Sequence, residues 1–123
     1  MIRTQKYASL AYPMVDAIKG RPVEAKYRTL ALTFPTMIMQ SGLAQAIGFL
    51  MAKDKDEHQT MLEHVARLLE YQGADPVKKM HADILASELS DYQRLTRNAL
   101  EATSWLKRYT QAMLESKPAN PQD

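Results

Sequence analysis

The chain has no cysteine, only four glycines and only three histidines in 123 residues. The missing cysteines exclude disulfides, thiolate metal sites and cysteine nucleophiles. No Gly-x-Ser-x-Gly, P-loop or dinucleotide fingerprint occurs, and so few glycines leave no loop to cradle a phosphate. His58, His64 and His81 match neither a His-Glu-x-x-His nor a paired Glu-x-x-His pattern, so we interpret them as surface or cap-adjacent residues. We therefore predict a protein that is not an enzyme and has no metal, cofactor or small-molecule substrate.

Period-two alternation between turn signals is also absent, and this predicts an all-α protein, a compact bundle of about six helices. One domain is expected over residues 1–116, with a frayed tail over 117–123. The N-terminus contains no secretory signal pattern, so a cytoplasmic protein is expected.

An uncharged stretch between Arg28 and Lys53 organises the prediction. Pro35 suits a first helical turn and Thr33 a cap, so we predict a buried central helix over about 35–52. A membrane span is the alternative interpretation of such a run, but its polar and glycine residues and the lack of a second run weigh against it. Gln40 and Gln45 need hydrogen-bond partners if they are buried.

Helical spacing predicts the remaining elements. The first helix covers about 3–19, and Pro13 either kinks or breaks it. A second begins at Pro22, Asp56 with Gln59 suggests a capping box, and Asp75-Pro76 starts another helix. A further capping box at Ser90 with Gln93 opens a long C-terminal helix over about 91–116.

Charge is unevenly distributed along the sequence. The whole chain has a net charge of +2, but residues 1–55 sum to +5 and residues 56–93 to −5. Such a molecule presents a basic side to a polyanion and an acidic side to a basic protein.

Two groups of basic residues are candidate phosphate contacts. Arg94, Arg97 and Arg108 share the polar face of the last helix beside Trp105, which offers a ring for stacking. A solvated, salt-bridged face, or a Trp105 covered by a partner, explains the same pattern. The second group surrounds the start of the second helix: Lys19, Arg21, Lys26 and Arg28. For this group we weigh phosphate contact equally against plain solvation.

Two halves of the sequence resemble one known family. The first pattern comprises Lys26-Tyr27-Arg28, Pro35, Ile38, residues 40–45 (QSGLAQ) and Phe49; the second comprises Tyr92, Thr96, Ala99-Leu100 and residues 105–109 (WLKRY). Together they resemble the small α-helical subunit of the type III-B CRISPR effector, the Cmr complex. Ser41, where that family favours asparagine, and Pro13 depart from its pattern.

This resemblance implies a non-catalytic subunit that stacks in more than one copy beside the backbone subunits. It implies contact with other Cmr subunits and with the guide RNA–target RNA duplex or the target RNA backbone, without sequence readout, in antiviral defence. Target cleavage belongs to another subunit. The RNA-facing candidates are Lys26, Arg28, Lys107 and Arg108, followed by Arg94, Arg97, Lys19 and Arg21. Structural roles fall to Tyr27, Pro35, Gly42, Leu43 and Phe49.

Two other functions stay open. A helical protein–protein adaptor without a nucleic-acid role would use the acidic segment 56–93 and Trp105. A small nuclease would use His58 or His64, and we rank it below the adaptor.

Overall fold

The structure, a computed structural model, describes residues 2–115, and within this range it consists of six α-helices without a strand. The helices are α1 Arg3–Asp16, α2 Glu24–Ser41, α3 Leu43–Lys53, α4 Asp56–Leu68, α5 Pro76–Ala86 and α6 Leu89–Met113. The all-α prediction and the long C-terminal helix are confirmed. The predicted tail, 117–123, lies outside the described residues.

The prediction of a single central helix over 35–52 is wrong, because the helix is interrupted at Gly42. There φ is +87° and ψ is 158°, a conformation that side chains other than glycine rarely adopt, and it separates α2 from α3. Pro35 lies inside α2 instead of at its start, and the Thr33 hydroxyl donates to carbonyls of its own helix. Gln40 and Gln45 are exposed, so neither needs a buried partner.

The first helix runs through Pro13 without a break and ends at Asp16, three residues before the predicted end. The turn that follows contains Gly20 with φ of +80°, and α2 begins at Glu24, two residues after Pro22. Pro13 therefore does not divide the first helix into two pieces.

One of the four predicted caps, at Thr33, Asp56, Asp75 and Ser90, is confirmed. The Asp75 carboxylate accepts a hydrogen bond from the backbone N–H of Lys78 at 3.0 Å, with Pro76 in the first turn of α5. The capping boxes at Asp56 and Ser90 are wrong, since both residues lie inside the first turn of their helix. The Gln59 side chain instead donates to Asp54, at the end of α3.

Helix α6 packs along both α1 and α2, and its contacts show which ends of the helices lie together. The Glu24 carboxylate accepts from the N–H of Glu115, and the Tyr92 hydroxyl accepts from the N–H of Ala44 at 3.0 Å. Because α2 therefore starts where α6 ends, the two helices are antiparallel. The α1–α2 turn consequently lies at the same end of the molecule as the C-terminal end of α6.

Between these helices lies one apolar core. Its largest fully buried side chains come from all six helices and include Val15, Tyr27, Phe34, Ile47, Met61, Met80 and Leu106. No helix within residues 2–115 is both long and apolar enough to cross a membrane.

Candidate nucleic-acid interface

The predicted arginines of α6 form one exposed stripe. Successive residues of a helix are rotated by about 100°, so Arg94, Arg97 and Arg108 fall within about 60° of one another on the side away from the core. All three are exposed. Lys107 lies about 100° around the helix from Arg108 and is only partly exposed, so it does not belong to this stripe.

Arg94 is the arginine of the stripe with an acidic environment. Its guanidinium contacts the Asp91 carboxylate at 2.9 Å. It also lines a cavity of about 400 Å³ with Asp83 and Glu88. A phosphate approaching Arg94 would meet these carboxylates, so Arg94 is the weakest phosphate contact of the three.

Arg97 and Arg108 have no acidic partner among the described residues. Glu101 lies between them on the same stripe, but its carboxylate is bound by Arg3 of α1 at 2.9 Å. This hydrogen bond raises the pKa of Arg3 above its ordinary value. The ion pair neutralises the one carboxylate between Arg97 and Arg108, which are about 16 Å apart along the helix.

Trp105 packs within the molecule and is not a free stacking platform. Its indole N–H donates to the Thr4 hydroxyl at 3.0 Å, and its ring lies 5.5 Å from that of Tyr109. Tyr109 in turn contacts Tyr12 edge-to-face at 5.4 Å. One edge of Trp105 still borders a shallow cavity with Ser104 and Arg108. Its main role is to hold α1 against α6.

The second basic group surrounds the α1–α2 turn. Lys19 and Arg21 are exposed there. Glu24, which follows them at the start of α2, accepts hydrogen bonds from the backbone N–H groups of Gly20 and Glu115 at 2.9 and 3.3 Å. Its carboxylate is thus engaged by backbone rather than by these cations.

Lys26 and Arg28 do not converge on one ligand. Two residues along a helix correspond to a rotation of about 200°, so the side chains leave α2 on nearly opposite flanks. Lys26 is exposed and lines a groove with Lys55 of the α3–α4 loop. Arg28 is partly buried, and its Nε has no hydrogen-bond partner among the described residues. The predicted pair therefore separates into two unrelated positions.

Of the five predicted structural residues, four lie at or beside the core. Tyr27, Pro35 and Leu43 are buried, and Gly42 is partly exposed at the break between α2 and α3. Phe49 is different, since it is 37% exposed at the end of α3. Its ring contacts His58 edge-to-face at 5.9 Å and lies 5.7 Å from Lys53 Nζ. Phe49 is therefore a surface aromatic.

The three histidines lie in different environments. His64 Nδ1 is hydrogen-bonded to the Tyr27 hydroxyl at 2.7 Å, and burial, helped by the charge of Arg21, lowers the pKa of His64 to about 4. His58 is 8% exposed, and its Nδ1 is 3.7 Å from a Glu57 carboxylate oxygen. His81 is partly exposed on α5. Within residues 2–115, no group of three or more such side chains is placed to hold a metal ion.

Two contributors to these surfaces were not anticipated from the sequence. Arg3 was not a candidate, although its ion pair with Glu101 determines the charge of the α6 stripe. Lys55 was not a candidate either, although it shares a groove with Lys26. Arg3 and Glu101 are 98 positions apart, so no local pattern signals that pair.

Comparisons with known proteins agree with the fold. The profile of the CRISPR-associated protein family Cas_Cmr5 matches residues 3–113. The CRISPR system Cmr subunit Cmr5 of Thermus thermophilus is 35% identical over 114 residues, which are 92% of this chain and 96% of the relative. The X-ray crystal structure of a CRISPR-associated Cmr5 family protein, also from Thermus thermophilus, superposes with a TM-score of 0.86 at 32% identity, covering 94% of this chain and 99% of that one. This chain therefore belongs to the Cas_Cmr5 family of CRISPR-associated proteins.

Proposed function

We propose that this protein is a non-catalytic subunit of a type III-B Cmr effector complex in the cytoplasm. In this role it stacks in more than one copy beside the other Cmr subunits and holds the target RNA backbone for antiviral defence. Family membership supports the assignment to the complex, since the relative at 35% identity is named a Cmr subunit.

The observation that carries the RNA contact is the α6 stripe. Arg97 and Arg108 are exposed and free of acidic partners among the described residues, and the carboxylate between them is neutralised by Arg3. Guanidinium groups bind phosphates with charge-assisted hydrogen bonds that do not depend on base identity. Lys19 and Arg21 extend the basic surface at the α1–α2 turn, and Lys26, Lys107, Arg28 and Arg94 are secondary contacts in the proposal.

His64, one of the two histidines considered for a nuclease, weighs against that function. His64 is bonded to Tyr27 inside the molecule, and a pKa of about 4 keeps it neutral at physiological pH. General acid–base catalysis near neutral pH favours a group whose pKa lies close to 7.

An adaptor is the second candidate, and the acidic corner where α5 meets α6 favours it. Asp83, Glu88 and Asp91 lie around this corner, and the neighbouring Leu85 and Leu89 are 69% and 73% exposed. Exposed leucines rimmed by acids are typical of a protein-binding surface. Trp105, the other residue predicted for an adaptor, is partly covered by α1.

A tagged pull-down from the native host tests the assignment. The bound proteins are identified by mass spectrometry and the bound RNA is sequenced. Recovery of the other Cmr subunits with repeat-derived guide RNA is the expected result. Recovery of unrelated proteins without RNA would overturn the proposal and favour the adaptor.

A further inference from the structure

An open groove of about 610 Å³ lies between α2 and the α3–α4 junction. Its floor is formed by apolar side chains, among them Leu30, Met37 and Phe49. Phe49 is 37% exposed, so part of its ring is accessible to solvent. The α2 wall extends from Lys26 to Met37, about 16 Å, which is the length of three helical turns.

The rim of this groove is basic. Lys26 and Lys55 line it, and neither forms an ion pair among the described residues. Lys53 adds a third cation beside the Phe49 ring. Glu57 is the only acid in the lining, so the groove has an excess of positive charge.

His58 lines the groove beside Phe49, and the two rings are in contact. His58 is 8% exposed, and its buried Nδ1 has no hydrogen-bond partner among the described residues. A Glu57 carboxylate oxygen is 3.7 Å from this atom, so Glu57 faces His58 on this side of the groove.

We infer that the groove binds an acidic amphipathic helix of a different protein chain. Apolar side chains at every third or fourth position of that helix would enter the groove over Leu30, Met37 and Phe49, and flanking carboxylates would contact Lys26 and Lys55. This interaction goes beyond the proposed function, because it specifies the chemistry of one protein partner and uses a surface separate from the α6 stripe. Lys26, a secondary RNA contact in that function, would face the carboxylates of the partner while the helix is bound.

RNA is a poorer fit to this groove. The described lining offers a single phenylalanine and no tyrosine or tryptophan, whereas sites for single-stranded RNA stack successive bases on several aromatic rings. The floor is apolar and the two lining lysines are isolated, whereas a groove for single-stranded nucleic acid follows the phosphate backbone with positive charge. A second copy of this chain also fits less well, since its exposed Leu85 and Leu89 lie on two separate helices, α5 and α6, and do not form one continuous helical face.

The test uses the purified full chain without RNA and two designed helical peptides. Both peptides have leucines at i, i+4 and i+7; one has glutamates on either side and the other has lysines. Fluorescence anisotropy should show at least tenfold tighter binding of the glutamate peptide. Phe49→Ala should weaken that binding about tenfold or more, whereas Leu85→Ala, also an exposed apolar truncation, should not change it. Lys26→Glu with Lys55→Glu should reverse the preference between the peptides.

Several outcomes would overturn the inference. Equal binding of both peptides, or binding that Phe49→Ala leaves unchanged, would exclude this groove as the site. Binding of a 20-nucleotide uridine RNA that Phe49→Ala abolishes would make it a nucleic-acid site. Concentration-dependent self-association abolished by Phe49→Ala would make a second copy the occupant. Circular dichroism of each variant confirms that the helices are retained, and loss of RNA capture through Arg97 and Arg108 would leave this result unaffected.

Discussion

The Tyr27 hydroxyl and His64 Nδ1 form a hydrogen bond of 2.7 Å that joins α2 to α4 inside the molecule. The two rings also meet at a steep angle, with centroids 5.3 Å apart. Tyr27 is fully buried, and burial raises the pKa of its hydroxyl far above the ordinary value. The pair is therefore a neutral polar contact within the core. The positive charge of Arg21 helps to keep His64 neutral.

Protonation of His64 should destabilise the fold. Its folded-state pKa of about 4 lies below the ordinary 6.5, so between these values the unfolded chain binds a proton that the folded chain does not. The His64 contribution to stability is complete above pH 6.5, and it is lost as the pH falls to 4. The loss is on the order of 3 kcal/mol, from about 1.4 kcal/mol per pH unit. Chemical denaturation at pH 7, 6, 5 and 4 measures the free energy of unfolding.

His64→Gln is the matched control for this pH dependence, because glutamine does not titrate. The variant should show a flatter decline in the free energy of unfolding between pH 6.5 and 4. An equally steep decline in the variant and the parent protein would assign the effect to the carboxylates instead.

Removing the Tyr27 hydroxyl should lower stability at neutral pH. Tyr27→Phe leaves His64 Nδ1 buried without its partner, which costs about 1–3 kcal/mol. Tyr12→Phe is the matched control, since Tyr12 is 52% exposed and its hydroxyl forms no hydrogen bond within residues 2–115, where its ring contacts Tyr109. Urea denaturation should separate the two variants by at least about 1 kcal/mol, a difference typical of an unpaired buried group. Equal stabilities would contradict a structural role for the pair.

Alanine substitutions at two glycines should change the stability of the fold in opposite directions. Gly42 has φ of +87° and ψ of 158°, and Tyr92 Oη lies 3.5 Å from where a Cβ would stand. Gly42→Ala should cost about 1–3 kcal/mol in backbone strain. Gly48 lies within α3 with nothing within 4 Å of its Cβ position, so Gly48→Ala should add about 0.5–1 kcal/mol. Melting temperatures measure both, and a stabilising Gly42→Ala would show that the break does not need glycine.

These positions also show which parts of the fold can be predicted from the sequence. Apolar spacing is a local signal, so it predicted the helical class and the long α6 well. The break at Gly42 was missed because a glycine inside an apolar run is compatible with a continuous helix as well as with its end. Ser41 and Leu43 on either side carry no stop signal of their own.

The candidate site was harder to predict, because its charge depends on contacts between distant positions. Periodicity correctly placed Arg97 and Arg108 on the exposed face of α6. It did not indicate that Arg3 would neutralise Glu101. Nor did it separate Arg94 from the other two, although Asp91 and Glu88 are near in sequence, since the contribution of Asp83 depends on how α5 meets α6.

Charge reversal on α6 tests whether Arg97 and Arg108 hold the target RNA. We would assemble the Cmr complex with Arg97→Glu and Arg108→Glu in this subunit and measure target-RNA capture as a function of salt. We expect the subunit composition to be unchanged and the capture of target RNA at physiological salt to be weaker. The plot of log affinity against log salt concentration should become shallower by about 1.4, because two phosphate contacts are lost. Arg94→Glu, in its acidic surroundings, should have a smaller effect. Normal capture of target RNA by the double variant at physiological salt would contradict an RNA contact through Arg97 and Arg108.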